Sequence, residues 1–200
     1  MNATPAEAGR QAGAVAPRPR RRRHDPERRD RIVEACLDVL AEHGVAGTSH
    51  RRVAAAADVP LGSTTYHFAG MDDLLHAAFG RFAERAAAAF ERRMAGARDT
   101  AEARDAVVRL ITQDVFATQR DLVLTHELYT LAAREPAFRT LTNAWMRRSR
   151  RALERHFDPA TARVLDAYIE GATIHRALDT VPADDADVRV AVARLTGGDA

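Results

Sequence analysis

Apolar residues recur at intervals of three and four positions along most of the chain, which is the spacing that buries one face of an α-helix. One such stripe consists of Ile32, Val33, Cys36, Leu37, Val39 and Leu40. No segment alternates apolar and polar residues for long enough to predict a β-strand. We therefore predict an all-α fold.

Glycines and capping residues divide the chain into about nine predicted helices. Asp25 is placed to cap the first helix, Pro26 suits its first position, and Gly44 ends it. Two short helices are predicted at about 49–57 and 61–67. Longer helices are predicted at about 71–95, 100–118, 121–134, 136–157, 159–178 and 184–195.

The positive charge is concentrated in the first third of the chain. All 30 basic residues are arginine, so a bound anion would meet guanidinium groups, hydroxyls or backbone N–H groups. Residues 1–68 contain 11 arginines against 8 acidic residues, whereas residues 69–200 contain 19 against 20. This asymmetry indicates contact with nucleic acid, although an ordinary solvated surface would carry the same charge.

The first 24 residues lack hydrophobic periodicity and end in RPRRRRH, which predicts a disordered, Arg-rich arm. Beside a DNA-binding domain the arm could follow a minor groove or the phosphates; otherwise it is a solubilising tail. We find no apolar targeting segment and no apolar run of about 18 residues, so we expect a cytoplasmic protein. The single cysteine, Cys36, lies among apolar residues and is expected to be buried.

The segment 48–68, TSHRRVAAAADVPLGSTTYHF, predicts two short helices joined by the turn Asp58-Val59-Pro60. Aspartate tolerates the left-handed backbone that a tight turn between helices can require. Val53, Ala54 and Ala57 would face inward and let the two helices approach closely. This is the pattern of a helix-turn-helix, whose second helix enters the major groove of DNA.

Polar side chains around this turn predict the contacts with DNA. Hydroxyls and arginine bind phosphates or base edges, and Gly62 lets the backbone come close to the duplex. The predicted contact residues are Thr48, Ser49, Arg51, Leu61, Gly62, Ser63, Thr64, Thr65, Tyr66 and His67. The alternative is that the hydroxyls of residues 63–65 only cap and turn a loop.

Residues 28–75 resemble the N-terminal DNA-binding domain of the tetracycline-repressor (TetR) family of bacterial transcriptional regulators. The matching segments, in order, are RIVEACLDVLAEHGV, TSHRRVAAAADV, LGSTTYHF and AGMDDLL. The resemblance implies that residues 25–70 form a three-helix DNA-binding domain with Phe68 in its core. It also implies that residues 71–200 form a helical domain for effector binding and dimerisation.

The chain departs from the family pattern at three positions. The family often has an apolar residue in place of Thr64, tyrosine in place of Thr65 and lysine in place of Met71. The missing lysine removes one phosphate contact, and the Arg-rich arm could supply the lost attraction, since phosphate contacts dominate affinity.

The function that the resemblance implies is a homodimeric repressor that binds a near-palindromic double-stranded operator and leaves it when a small-molecule effector binds. Control of a drug-efflux gene is a common role in the family. The pattern does not reveal the effector, the operator, the regulated gene, or whether the protein represses or activates.

The competing function class is a helical binding protein or helical enzyme whose basic front is incidental. The sequence contains no Gly-rich phosphate loop, no G-x-S-x-G motif and no cluster of cysteine and histidine at metal-binding spacing. We therefore predict no catalytic residue, no metal and no cofactor.

The last two predicted helices carry apolar stripes, and two such helices from each subunit could form a four-helix dimer interface. The predicted interface residues are Val164, Leu165, Tyr168, Ile169, Ala172, Val188 and Val192. The alternative is that these stripes belong to the core of a single chain.

A ligand pocket is predicted from aromatic residues and nearby acids on the middle helices. The predicted pocket residues are Phe79, Phe82, Asp114, Phe116, His126, Tyr129 and Trp145. Aromatic rings with a few carboxylates suit a flat or amphipathic aromatic cation. The alternative is that the rings are core and the acids pair with arginines. The long helix that begins at Met71 is the predicted lever between the pocket and the DNA-binding domain.

Overall fold

The computed structural model describes residues 27–114, 118–181 and 184–198. This part of the chain contains nine α-helices and no strand, which confirms the all-α prediction. The helices are α1 (Arg28–His43), α2 (His50–Ala56), α3 (Leu61–His67), α4 (Met71–Ala95), α5 (Thr100–Arg109), α6 (Gln119–Arg134), α7 (Pro136–Leu153), α8 (Pro159–Leu178) and α9 (Asp185–Leu195). A π-helical turn, Leu110–Asp114, continues directly from α5.

Two of the predicted helices end earlier than expected. The helix predicted at 100–118 is α-helical only to Arg109, after which the wider π-helical turn takes over. The helix predicted to end at 157 ends at Leu153, where the N–H groups of His156 and Phe157 both donate to the Leu153 carbonyl. This tight turn buries Phe157 and reverses the chain into α8. The predicted cap at residues 25 and 26 lies outside the described residues.

Side-chain caps fix the starts of five helices. Ser49, Asp99, Thr118, Asp158 and Asp184 each accept a hydrogen bond from a backbone N–H in the first turn of the helix that follows. These residues satisfy N–H groups that have no partner within the helix. At the other end of α1, Gly44 adopts a φ of 65° and ends the helix as predicted.

The helices enclose two hydrophobic cores. The first contains α1, Val53 of α2, Phe68, the beginning of α4 and the inner faces of α6 and α7. The second contains the end of α4, α5, the π-helical turn, the end of α7, and α8 with α9. The predicted boundary at residue 71 therefore does not separate cores, because the helix-turn-helix shares its core with α4, α6 and α7.

Ion pairs strengthen the attachment of α1 to the helices around it. Arg81 of α4 contacts Asp30 at 2.5 Å and Glu34 at 3.1 Å, while Arg85 contacts Glu34 at 2.6 Å. Hydrogen bonds from Arg85 hold the pKa of the Glu34 carboxyl below its usual range. From α6, Arg120 reaches Asp38 at 2.8 Å. One acidic face of α1 is thus held by arginines of two helices.

Candidate nucleic-acid interface and ligand cavity

The turn between α2 and α3 has the geometry of a helix-turn-helix. Asp58 adopts a φ of 51°, the left-handed conformation predicted for it. The N–H of Val59 donates to the Ala54 carbonyl at 3.0 Å, which brings the end of the turn back onto α2. Val53 and Ala54 are buried, so the side of α2 facing the core is the predicted one.

The outer face of α3 is available to a partner. Tyr66 is 84% exposed and Leu61 is 50% exposed, and Thr65 and Gly62 are also exposed. A Cβ added to Gly62 would meet nothing within 4 Å, so the backbone there can approach another molecule closely. Ser63 and His67, the remaining outward candidates, are half-buried.

Thr64 does not belong to this face, and its predicted contact with DNA is wrong. Its side chain is fully buried, and its hydroxyl donates to the Leu61 carbonyl at 2.8 Å. The helical period turns Thr64 and Phe68, four residues apart, toward the core together. The apolar residue that the TetR family often has at this position reflects the same burial.

The turn before α2 carries the other predicted DNA contacts. The Thr48 hydroxyl donates to the Gly44 carbonyl at 2.7 Å, and Ser49 accepts from the Arg52 N–H at 3.3 Å. Both residues therefore shape the turn, while Ser49 and Arg51 remain exposed. The guanidinium of Arg52 donates back to the Gly47 carbonyl.

One basic side chain that lies beside α3 was not predicted from the sequence, because it belongs to no recognised motif. Arg29 lies over the ring of Phe68, 5.0 Å from its centre, and so stands next to the end of α3. Only the packing of α1 against α3 brings this cation to Phe68.

A cavity of about 520 Å³ lies between the two cores. Phe82 and Leu37 in its wall belong to the first core, and Phe90 and Leu110 belong to the second. The described residues that line it are Leu37, Phe82, Arg85, Ala86, Ala89, Phe90, Arg93, Leu110, Gln113, Asp114, Arg120, Asp121, Thr125 and Trp145. The rings of Phe82 and Trp145 meet edge to face, 5.9 Å apart.

A smaller cavity of about 80 Å³ adjoins the first and shares Phe90, Thr125 and Trp145 with it. Two carboxylates of α8, Asp166 and Glu170, lie in its wall. Its other lining residues are Tyr129, Met146, Ser149, Ile169 and Thr173.

Burial changes the acid–base properties of this smaller cavity. It raises the pKa of Asp166, against the opposing effect of Arg150, whose Nε lies 2.8 Å from the Asp166 carboxylate. It also raises the pKa of Glu170, to which the Tyr129 hydroxyl donates. Burial and the nearby Glu170 charge raise the pKa of Tyr129 as well. Two partly dehydrated carboxylates therefore face a space lined with aromatic rings.

Some of the predicted pocket residues line the two cavities and others do not. Phe82, Asp114 and Trp145 line the larger cavity and Tyr129 the smaller. The prediction for Phe79 is wrong, because its side chain is fully buried in the first core against Phe138.

His126, another predicted pocket residue, lines neither cavity. His126 places Nδ1 2.8 Å from the Leu122 carbonyl. Phe116 lies outside the described residues. Sequence reasoning missed Asp166, although its position one helical turn before Glu170 places both carboxylates on one side of α8.

Most of the predicted dimer residues point into their own chain. Leu165, Ile169, Val188 and Val192 are buried in the second core, so their assignment to an interface between subunits is wrong. Tyr168 and Ala172 are half-buried against the same core. Val164 alone of the predicted set is exposed, at 49%.

The exposed side of α8 carries a different apolar stripe. It consists of Val164, Ala167, Gly171, Ile174 and Leu178, which follow one another at helical spacing. Leu178 is 61% exposed, an unusual state for a large apolar side chain on a regular helix.

Neither membrane nor metal chemistry is suggested by the described residues. No helix among them is both long and apolar enough to cross a bilayer. Within the same residues, no group of three or more histidine, cysteine or acidic side chains is placed to hold a metal ion.

Two protein families match the chain. Residues 32–78 match bacterial regulatory proteins of the tetR family, and residues 98–198 match a tetracyclin repressor-like C-terminal domain. Together these matches cover well over half of the sequence. Among curated protein sequences, none matches the chain.

Several solved protein structures resemble this chain over most of their own length. SCO7518 of Streptomyces coelicolor A3(2), a proposed transcriptional regulator, is 57% identical, with 86% of this chain and 99% of that one covered and a TM-score of 0.81. The multidrug binding protein EbrR with ethidium is 38% identical, with 85% and 99% covered and a TM-score of 0.72. EbrR has also been solved with proflavin and with malachite green. The chain therefore belongs to the TetR family of bacterial transcriptional regulators.

Proposed function

We propose that this regulator is a homodimeric repressor that releases its operator when an aromatic cation enters the two adjoining cavities. The observation that carries the proposal is the pair of half-buried carboxylates, Asp166 and Glu170, beside the rings of Trp145 and Tyr129. The sequence of EbrR is 38% identical to this chain, and EbrR binds ethidium, an aromatic cation.

Charge and shape both favour such a ligand. Burying an ionised carboxylate costs free energy unless a partner compensates it, and a bound cation would supply that compensation for Glu170. The indole and phenol rings, whose centres are 6.4 Å apart, present faces and edges suited to a delocalised cation.

The volumes limit how a dye could sit. A cavity of about 80 Å³ is too small for a three-ring molecule, whereas about 520 Å³ is in the usual range for a small-molecule site. The ring system would therefore occupy the larger cavity, with its positive charge directed past Trp145 toward the carboxylates of α8.

The location of the cavities suggests how binding could release DNA. They lie between a core that includes the helix-turn-helix and a core that includes α8 and α9. A ligand that fits better when the cores are displaced would favour that displaced state, and this preference alone would weaken DNA binding. No catalytic step is needed, so we propose no enzymatic activity.

We propose that the exposed stripe on α8 forms the dimer contact. Two copies related by a two-fold axis would bury Val164, Ile174 and Leu178 against their equivalents. Such a dimer would present two α3 helices to the halves of a near-palindromic operator. Because it acts on DNA, we place the protein in the cytoplasm, with a gene for the efflux of aromatic cations as its target.

The ligand half of the proposal is tested without DNA. Trp145 is the only tryptophan, so its fluorescence reports directly on the cavity. We expect ethidium to quench it, and we expect the Asp166→Asn/Glu170→Gln double variant to bind ethidium at least about tenfold more weakly. Glu154→Gln, a change at an exposed residue of the neighbouring turn, should bind as wild type. Equal affinity in all three proteins would contradict the assignment of the carboxylates.

The repressor half is tested with an operator selected by the protein from a random DNA pool. Ethidium intercalates, so release is measured with tetraphenylphosphonium, a bulky aromatic cation that does not stack between base pairs. Wild type should prefer its operator over random DNA by about 1,000-fold or more, and the cation should weaken that binding. Operator binding that the cation leaves unchanged would contradict induction by this ligand class.

A further inference from the structure

The turn that joins α1 to α2 is held by a side chain from the other half of the molecule. The Glu127 carboxylate, on α6, accepts the N–H of Val45 at 3.2 Å across 82 positions of sequence. The same carboxylate packs directly on Gly44, where an added Cβ would lie only 2.7 Å from Oε1. The contact therefore uses an acceptor oxygen at residue 127 and the small size of Gly44.

Hydrogen bonds make this turn a single unit up to the start of α2. Thr48 donates through its hydroxyl to the Gly44 carbonyl at 2.7 Å and through its N–H to the Val45 carbonyl at 3.1 Å. The Arg52 guanidinium closes the turn from the other side at the Gly47 carbonyl. A displacement of Val45 would therefore displace Thr48 and Ser49 with it.

The helix that carries Glu127 is also a wall of the ligand cavities. Asp121 and Thr125 line the larger cavity and Tyr129 lines the smaller. On its other side, α6 buries Leu124 and Leu128 in the core that contains α1. One helix thus touches the ligand space with one face and the DNA-binding unit with the other.

We propose that Glu127 is a positioning residue for DNA binding: its hydrogen bond to Val45 places the turn that carries Thr48 and Ser49 against the DNA backbone. Movement of α6 on ligand binding loosens this turn directly, in addition to any movement of α4. The second statement rests on the proposed function, whereas the first does not require any ligand.

The positioning role is tested with two substitutions that remove the same charge. Glu127→Gln keeps an oxygen that can accept the Val45 N–H, whereas Glu127→Ala does not. We expect Glu127→Ala to weaken binding to the selected operator by about fivefold, the usual effect of one hydrogen bond. Its plot of log affinity against log salt should keep the wild-type slope, because Thr48 and Ser49 carry no charge and the loss of their contacts changes the release of no counterion. Glu127→Gln and the exposed control Glu154→Ala should retain the wild-type affinity and slope.

Two results would overturn the proposal. Unchanged operator affinity in Glu127→Ala is one. The other is binding by Glu127→Gln as weak as that of Glu127→Ala, which would show that acceptance of the Val45 N–H does not position the turn. The ligand step has its own measurement: tetraphenylphosphonium should quench Trp145 equally in wild type and Glu127→Ala, yet release operator by a smaller factor from the variant. An equal factor would overturn the ligand step alone, and absence of quenching in wild type would instead contradict the proposed function.

Discussion

Adjacent hydroxyls on α3 have opposite roles. Thr64 is buried and bonds to the Leu61 carbonyl, whereas Thr65 is exposed beside Tyr66. A helix turns each successive side chain by about 100°, so neighbours in sequence need not share a surface. Residue identity alone made both threonines candidates, and their orientation separates them.

This difference predicts distinct effects of one substitution at two positions. Thr65→Val should weaken operator binding by about 1 kcal/mol through loss of a hydroxyl contact, and leave the free energy of unfolding unchanged. Thr64→Val should leave operator preference unchanged and alter the free energy of unfolding by about 1 kcal/mol or less, because valine has the same shape. Operator titration and urea denaturation measure the two quantities. Loss of operator preference in Thr64→Val would show that the buried hydroxyl is needed for recognition.

The raised pKa values of Asp166 and Glu170 predict a pH-dependent affinity for aromatic cations. The cation favours the ionised carboxylates, so affinity should be highest above the raised pKa values and fall as pH drops through them. The decline should therefore begin at a higher pH than for an ordinary carboxyl group. Burial of the two groups also costs stability at neutral pH, which the fold regains as they are protonated.

Quenching of Trp145 by ethidium, a permanent cation, between about pH 8 and about pH 4 measures this dependence. The Asp166→Asn/Glu170→Gln variant should show a flat profile over the same range. A wild-type profile equally flat would mean that the two carboxylates do not balance the charge of the ligand.

At the scale of elements, the reading helices depend on their neighbours. Each of α2 and α3 has seven residues, too few for a stable helix in isolation. Val53 and Phe68 anchor them in a core whose other members come from α1, α4, α6 and α7. The orientation of α3 is therefore set by packing across the whole first core.

The turn after α1 provides the prediction at this scale. Gly44 has φ 65° and ψ 178°, a conformation almost restricted to glycine, and also contacts Glu127. Gly44→Ala should lower the free energy of unfolding by about 2 kcal/mol or more, because it combines backbone strain with a steric clash. Gly197 has φ 67° with nothing within 4 Å of an added Cβ, so Gly197→Ala measures the cost of a positive φ without a steric clash. Urea denaturation of both variants measures the difference, and equal losses would mean that Glu127 yields without cost.

At the scale of the whole molecule, the two cores contain different functional elements. One contains the helix-turn-helix and the other carries α8 and α9, while the cavities lie between them. In the proposed function, a ligand that enters these cavities would shift α2 and α3 relative to the proposed dimer contact on α8, without unfolding either core.

The exposed stripe of α8 leads to a prediction about assembly. Val164→Glu should convert a dimer to monomers, because it places a charge in an apolar contact at each of two equivalent sites. Ala101→Glu, at an exposed position of α5, should leave the dimer intact. Sedimentation analysis measures the mass, and a Val164→Glu protein that remains dimeric would place the interface elsewhere.

The distribution of charge predicts a role for the arm, which lies outside the described residues. Residues 1–26 contain six arginines against two acidic residues, whereas residues 27–70 contain five against six. The folded reading unit therefore has no excess of positive charge. Deletion of residues 1–24 should make the dependence of log affinity on log salt clearly shallower, since fewer phosphates are neutralised. An unchanged slope would rule out compensation by the arm for the missing lysine at Met71.

The sequence by itself determined the order of the helices, the end of α1 at Gly44, the left-handed turn at Asp58 and the family. These features depend on residues close together in the chain: a helical period, a glycine at the end of a helix, and a motif read in order. For that reason α3 and α8 have the predicted bounds.

Only the tertiary structure decided which side of each apolar stripe is core and which is surface. Val164 and Leu165 are equally apolar neighbours, yet one is exposed and the other fully buried, because α8 packs on α9, α7 and the π-helical turn from one side. It also brought Asp166 to Trp145, and Glu127 to Val45. Such contacts join residues distant in sequence, so no local pattern encodes them, and they are where ligand and DNA binding can be coupled.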